Sequence, residues 1–356
     1  MQSQHTATVA QIGEFDEIID VRSPAEYAED HLPGAISAPV LDDEQRARIG
    51  TLYVRTSAFE AKKAGAALVA INIARHLQEK FHDRPKSWRP LIYCWRGGQR
   101  SGSMTEIFSR IGWPVAQLAG GYKAYRRQVI DELRELPRRL NLRIVCGTTG
   151  SGKSRLLRTL AAQGAQVLDL EALAAHRGSV LGHLPGEPQP TQRMFESRLW
   201  QALHGFSPEA PVFVEAESKK VGSLHVPDEL MAHMRASACL RVELEDAARI
   251  ALLKEEYAHF LADPAWLNRQ LALLVSLHGH ARVAEWQALS TAGDWEALVG
   301  RLLKEHYDPA YLRGMARNFS AYETSPQMHI EGIDEEAFDR AARAAVAAAA
   351  PVAQAG

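Results

Sequence analysis

Cys94 heads the stretch YCWRGGQRS, residues 93–101, which also holds two glycines and two arginines. A buried cysteine closing a strand is the plain reading, because free cysteine behaves as a small hydrophobe. It accounts for Cys94 and leaves Arg96, Gly97, Gly98 and Arg100 unexplained. Those residue types suit a nucleophile. Loop N–H groups, arginine charge and a following helix N-terminus all favour the thiolate over the thiol. Arg100 follows Cys94 with the spacing C-x5-R. Such a loop serves two chemistries, sulfur transfer through a persulfide and phosphate-ester hydrolysis, and the spacing alone leaves both open.

A second motif, CGTTGSGKS at residues 146–154, fits G-x-x-x-x-G-K-[ST] through Gly147, Gly152, Lys153 and Ser154, with Gly150 and Ser151 inside the loop. An apolar strand, LRIVCG, precedes it and SRLLRTLAAQG reads as the helix after it. There the loop N–H groups and helix N-terminus would hold a di- or triphosphate. Lys153 would neutralise its charge and the Ser154 hydroxyl would reach Mg2+. Mg2+ is therefore expected at this loop, with no tightly bound cofactor and no structural metal. The acidic partner is less regular. PVFVEAES, residues 211–218, ends in Glu215 and Glu217 where a hydrolytic P-loop protein usually shows Asp, and Asp169 after AQVLD is a further candidate for the metal or substrate side. His278 and His280 in HGH lack an evident cysteine or carboxylate partner and are not expected to bind metal.

Short apolar runs alternating with helical patterns position these loops. EIIDVRS reads as a strand and SPAEYAEDH as a helix with Ser23 as N-cap, Pro24 at its first position and Glu26 completing a capping box. AISAPV returns as a strand, and a long helix is expected over residues 66–81 with Leu68, Ile71, Leu77 and Phe81 on its apolar face. PLIYCW leads into the cysteine loop, and GSMTEIFSRIGW is the helix that the loop opens. This pattern predicts an α/β fold with a largely parallel sheet. Residues 122–140 read as a charged helical connector, with five arginines against three acids from Arg126 to Arg139, and the chain after about residue 245 is mostly helical. AARAAVAAAAPVAQAG at the end reads as a fraying helix and tail. Two domains are expected, at residues 1–135 and 136–356.

Composition narrows the class. A formal net charge of −2 does not announce a nucleic-acid binder, although a local basic face would suffice. Three scattered cysteines make neither a disulfide framework nor a cysteine-rich zinc site, and they fit a reducing cytoplasm. The N-terminus lacks signal-peptide features, and no uninterrupted apolar run of about 18 residues is present, so no membrane association is expected.

DVRSPAEYAEDHLPGA together with the cysteine loop resembles the rhodanese-like sulfurtransferases, whose common loops are one residue shorter; one branch of Cys-based phosphatases shares that fold. Joined to the P-loop, and with LAGGYKAYRR, DLEALAAHRGSVLG and FVEAESKKVG in order, the chain resembles the tRNA 2-selenouridine synthases over nearly its whole length. The resemblance implies a rhodanese-like parallel-sheet domain followed by a P-loop NTPase-like α/β domain with a helical C-terminal part. It implies replacement of sulfur by selenium at C2 of the wobble uridine in the tRNA anticodon, through S-geranyl-2-thiouridine, with geranyl diphosphate and selenophosphate as substrates. Cys94 would carry selenium as a selenyl sulfide, with Arg96, Gly97, Gly98 and Arg100 cradling the anionic group. Gly147, Gly150, Ser151, Gly152, Lys153 and Ser154 would bind the prenyl diphosphate. Arg126, Arg127, Arg138 and Arg139 are expected on the tRNA-binding face. A sulfurtransferase or phosphatase with an appended nucleotide-binding module is the competing enzyme reading. A P-loop regulatory protein is the third, and the intact Cys94 argues against it.

Overall fold

The computed structural model describes residues 6–349 apart from 180, 184 and 185, and the chain divides into two units. The first comprises residues 1–132 and 190–201, and the second residues 133–189 and 202–356.

The first unit is built on five parallel strands: β1 (Thr6–Ala7), β2 (Glu17–Asp20), β3 (Ile36–Ser37), β4 (Pro90–Tyr93) and β5 (Ala116–Leu118), in the order β1-β5-β4-β2-β3. All four residues of central β4 are buried, as a parallel strand covered on both faces requires. The helix Pro24–Glu29 carries the expected capping box between Ser23 and Glu26. The long helix starts earlier than its apolar spacing suggests, at Ala58, because the Ser57 hydroxyl accepts from the N–H groups of Phe59 (3.1 Å) and Glu60 (3.5 Å). It runs to His76 and ends in a wider turn over Leu77–Phe81. Ile71, expected inside, is 58% exposed, and Ile73 takes the core position instead.

Residues 122–135 are helical as expected, in Gly121–Glu135. The helix is no freely solvated connector, because Tyr122, Tyr125 and Val129 are buried at helical spacing. Within this unit Tyr125 meets Trp200 edge-on at 5.5 Å, and the Asp30 carboxylate accepts from the Tyr122 hydroxyl at 2.7 Å and the Ser197 hydroxyl at 3.1 Å.

The second unit holds a parallel sheet of β6 (Asn141–Cys146), β7 (Gln166–Leu168), β8 (Pro211–Glu215), β11 (Ala238–Leu244) and β12 (Gln327–Ile330), in the order β12-β11-β6-β8-β7. A small antiparallel hairpin, β9 (Lys220–Val221) and β10 (Leu224–His225), lies outside it. Helices from Asp246 to Asn318 form the expected helical part around Phe260, Leu267, Leu271, Trp286, Leu298 and Leu302. Edge strand β12 was not anticipated, although Met328 and Ile330 alternate toward the core with exposed Gln327 and His329.

The alanine-rich C-terminus departs most from expectation. Glu335–Ala349 is a helix whose Ala337, Phe338, Ala341, Ala342, Ala345 and Ala349 are buried in the core of the second unit. Small side chains let it pack closely on the helix Lys153–Ala162 that follows the P-loop. A Cβ at Gly152 would meet the Phe338 ring at 2.7 Å, so the loop and this helix are fitted to each other. The expected tail, 350–356, lies outside the described residues.

Candidate functional site

Strand β4 delivers Cys94 to the C-terminal edge of the first sheet, and the helix Gln99–Ile111 begins five residues later. The side chain is only 3% exposed, yet its sulfur is not in an apolar hole. The Gly98 N–H donates to it at 3.2 Å and the Ser101 hydroxyl at 3.1 Å. Burial opposes ionisation of Cys94. It is outweighed by the Ser101 hydroxyl and by the N–H groups of Ser101, Gly98 and Arg96, so the thiol ionises below its ordinary range. Gly97 has φ +66°, and a Cβ there would lie 2.6 Å from the Leu118 carbonyl oxygen, so only glycine closes this turn.

The two arginines differ. Arg96 is exposed and makes no ion pair among the described residues. Arg100 is held by Glu26, Nη1 to Oε2 at 2.7 Å, and Arg46 binds the same carboxylate at 3.0 Å. Burial pushes the Glu26 carboxyl up, and its bonds from Arg100 more than reverse that, leaving it below the usual range. The capping residue of one helix therefore fixes the arginine of the loop. Glu26 was legible only as a cap, and Ser101, at the end of the quoted loop, was not singled out.

In the second unit β6 ends at Cys146 and the P-loop turns into the helix Lys153–Ala162. Lys153 is buried and folds back onto its own loop, donating to the carbonyls of Gly147 (2.7 Å) and Thr148 (3.1 Å). Ser151 is fully buried, and its hydroxyl has no partner among the described residues. Two side chains outside the motif brace the loop. The Tyr311 hydroxyl accepts from the Gly147 N–H at 2.6 Å, and the Arg249 guanidinium donates to the Thr149 carbonyl at 2.8 Å while pairing with Asp308.

Ser154 donates to Glu215 at 3.1 Å, and Lys153 stands 3.6 Å from the same carboxylate. Glu215 and Glu217, expected here, are joined by Glu171, and one ligand oxygen from each lies within 4.8 Å of the others. Asp169 instead caps the short helix Leu170–Ala174 by accepting from the Ala172 N–H at 2.8 Å, although it lines the same pocket. Burial and the neighbouring carboxylates push Glu171 up to about 10 and Glu217 up to about 8. Glu215 is also raised by burial, against the pull of Lys153 and the Ser154 hydroxyl. Three crowded oxygen donors beside a P-loop serine fit a hard divalent cation. His278 of HGH hydrogen-bonds His306 at 2.9 Å.

From this polar end a pocket of about 710 Å3 extends into the helical part. Lys153, Ser154, Glu171, Glu215 and Glu217 line one end, and the wall beyond includes Tyr257, Phe260, Trp295, Leu298, Leu302 and Met315.

A sheet carrying an activated cysteine and a P-loop sheet define a fusion of two domain classes. The rhodanese-like domain model matches residues 5–128, and that of the tRNA 2-selenouridine synthase AAA domain matches residues 140–270. Three relatives are each named tRNA 2-selenouridine synthase. The Nitrosomonas europaea protein is 35% identical over 67% of this chain and 63% of its own length. The Marinobacter nauticus protein is 32% identical over 83% and 87%, and that of Shewanella sediminis 31% over 89% and 83%. The chain belongs to the tRNA 2-selenouridine synthase family, a family of enzymes. No helix among the described residues is long and apolar enough to cross a membrane.

Proposed function

We propose that this enzyme converts wobble 2-thiouridine of tRNA to 2-selenouridine by way of S-geranyl-2-thiouridine, using geranyl diphosphate and selenophosphate. The observation that carries the prenyl step is the pocket of the second unit, lined by the P-loop and by aromatic and aliphatic side chains. An isoprenoid diphosphate has that polarity along its length, and enclosing its hydrocarbon removes apolar surface from water.

In the first step the thiouridine sulfur attacks C1 of the geranyl group, the C1–O bond breaks and diphosphate leaves; N3 of the base loses its proton. Negative charge grows on the departing diphosphate. Lys153 and the loop N–H groups, facing it in a partly dry site, would favour that change over the ground state. Ser154, Glu171, Glu215 and Glu217 would hold Mg2+, which supplies further neutralisation of the diphosphate.

Electron counting constrains the second step. Selenium stands at the selenide level in both selenophosphate and the product, so the exchange needs no redox partner. Selenium bonds to C2, the C2–S bond breaks and sulfur leaves as geranyl thiol. A selenyl sulfide on Cys94, as the family resemblance implies, would require an oxidant that this reaction does not contain. The balanced role for Cys94 is attack of its thiolate on phosphorus. The P–Se bond breaks with both electrons on selenium, and water then cleaves the S–P bond. The C-x5-R spacing and the N–H groups around Sγ support this role.

Calorimetric titration tests the prenyl site. Geranyl diphosphate should bind far more tightly than inorganic diphosphate, and Lys153→Ala should weaken both. Equal affinity for the two ligands would remove the apolar wall from substrate binding.

A further inference from the structure

The helix Gly121–Glu135 starts against the cysteine loop, where the Tyr122 N–H donates to the Cys94 carbonyl at 2.9 Å and the Lys123 N–H to the Trp95 carbonyl at 3.0 Å. Beside this junction, within the first unit, lies a pocket of about 400 Å3. Trp95 and Tyr122 supply its aromatic side, and Lys123, Arg126, Arg127 and Arg193 its charge. The Trp95 indole rests on Tyr122, centroids 5.2 Å apart, and stays half-buried.

The four cations are not equivalent. Arg126 is taken by Glu196 and Arg193 by Glu29, so two of the charges are already balanced. Lys123 and Arg127 are exposed and have no ion pair among the described residues. A supported indole edged by two unpaired cations is more than a tetrahedral anion needs, since such an anion gains little from an aromatic surface. It matches a nucleotide, whose base stacks while its phosphates meet the cations.

We propose that Trp95, Lys123 and Arg127 form a nucleotide subsite that stacks a base of the substrate RNA next to Cys94. The proposal rests on the reading that the enzyme acts on tRNA. In that role Trp95 is a positioning residue. It holds the strand so that the reacting uridine, or its neighbour, is presented to the cysteine loop.

Fluorescence anisotropy of a labelled RNA anticodon hairpin on the full chain, at a series of KCl concentrations, tests it. Loss of one stacked base weakens binding by about 1–3 kcal/mol, so Trp95→Ala should bind about 5- to 160-fold more weakly, while Trp95→Phe keeps most of the affinity. Lys123→Ala and Arg127→Ala should each lower the slope of log K against log salt by about 0.7, the single-strand value per phosphate. The two charge variants, on the exposed face of a helix, carry the test even if Trp95→Ala misfolds. Affinity within about twofold of wild type for a folded Trp95→Ala, or an unchanged slope in the Lys123→Ala, Arg127→Ala double variant, overturns the subsite. An acidic peptide that binds as tightly and with the same Trp95 dependence overturns its assignment to RNA. If wild-type protein fails to bind the hairpin at low salt, the tRNA reading falls as well, a result separate from the loss of Trp95 dependence alone.

Discussion

The Ser101 hydroxyl donates to the Cys94 sulfur at 3.1 Å, and the Gln117 amide donates to that hydroxyl at 2.7 Å. Ser101 lies in the first turn of the helix that follows the loop, and Gln117 on the adjacent strand β5. Thiolate activation in this loop thus depends on the sheet as well as on the loop sequence.

Removing that hydroxyl should raise the Cys94 pKa. A hydrogen bond to a charged group is worth about 1.5–3 kcal/mol, equivalent to roughly one to two pKa units. Wild-type Cys94 ionises below its ordinary value, so iodoacetamide alkylation of Ser101→Ala should show its midpoint at higher pH. The Cys94-containing peptide, followed by mass spectrometry, separates this thiol from Cys146 and Cys239. An unchanged midpoint would assign activation to the backbone N–H groups alone.

The acidic cluster makes stability depend on pH in a definite direction. Burial and like charge hold Glu217 protonated up to about 8 and Glu171 up to about 10, against an ordinary carboxylate value of 4.5. Between those limits the folded chain binds more protons than the unfolded one, so these groups make stability fall as pH rises. Melting temperatures followed from pH 4.5 to about 8 should drop more for wild type than for the Glu171→Gln, Glu217→Gln double variant. Added Mg2+ should offset the drop, and more at the alkaline end, because bound cation displaces protons. Parallel curves for the two proteins would contradict this.

The C-terminal helix should carry stability. Phe338 is 1% exposed and lies against Gly152 of the P-loop. Phe338→Ala should cost about 3–5 kcal/mol in urea unfolding of the second unit, as for other buried phenylalanines. A loss under about 1 kcal/mol would return the helix to the frayed state its composition suggests.

Loop chemistry was the most legible part of the sequence. Cys94 with its glycines, the P-loop and the Ser23 to Glu26 capping box depend on local spacing, and each reads directly from neighbouring residues. What stayed hidden is set by tertiary placement. Glu171 lies inside an ordinary helical segment, and only folding brings it to Glu215 and Glu217. Asp169, a further candidate at a strand end, caps the helix Leu170–Ala174 while lining the same pocket. The alanine-rich helix reads as weak because alanine has little hydrophobic contrast, although close packing of small residues is what buries it. β12 alternates, with Gln327 and His329 exposed and Met328 and Ile330 turned to the core, but four residues are too short a run to stand out in a helical stretch.

Nucleoside analysis of tRNA after incubation with purified protein tests the central claim, that the P-loop unit alkylates sulfur and the Cys94 unit exchanges it for selenium. The substrate is tRNA bearing 2-thiouridine, supplied with geranyl diphosphate, selenophosphate and Mg2+, and ATP is omitted throughout. Wild type should form S-geranyl-2-thiouridine and then 2-selenouridine. Cys94→Ser should stop at the geranylated nucleoside. Lys153→Ala should form neither product from 2-thiouridine, yet make 2-selenouridine from tRNA supplied already geranylated. Normal geranylation by Lys153→Ala, a requirement for ATP, or 2-selenouridine formed by Cys94→Ser would contradict the account.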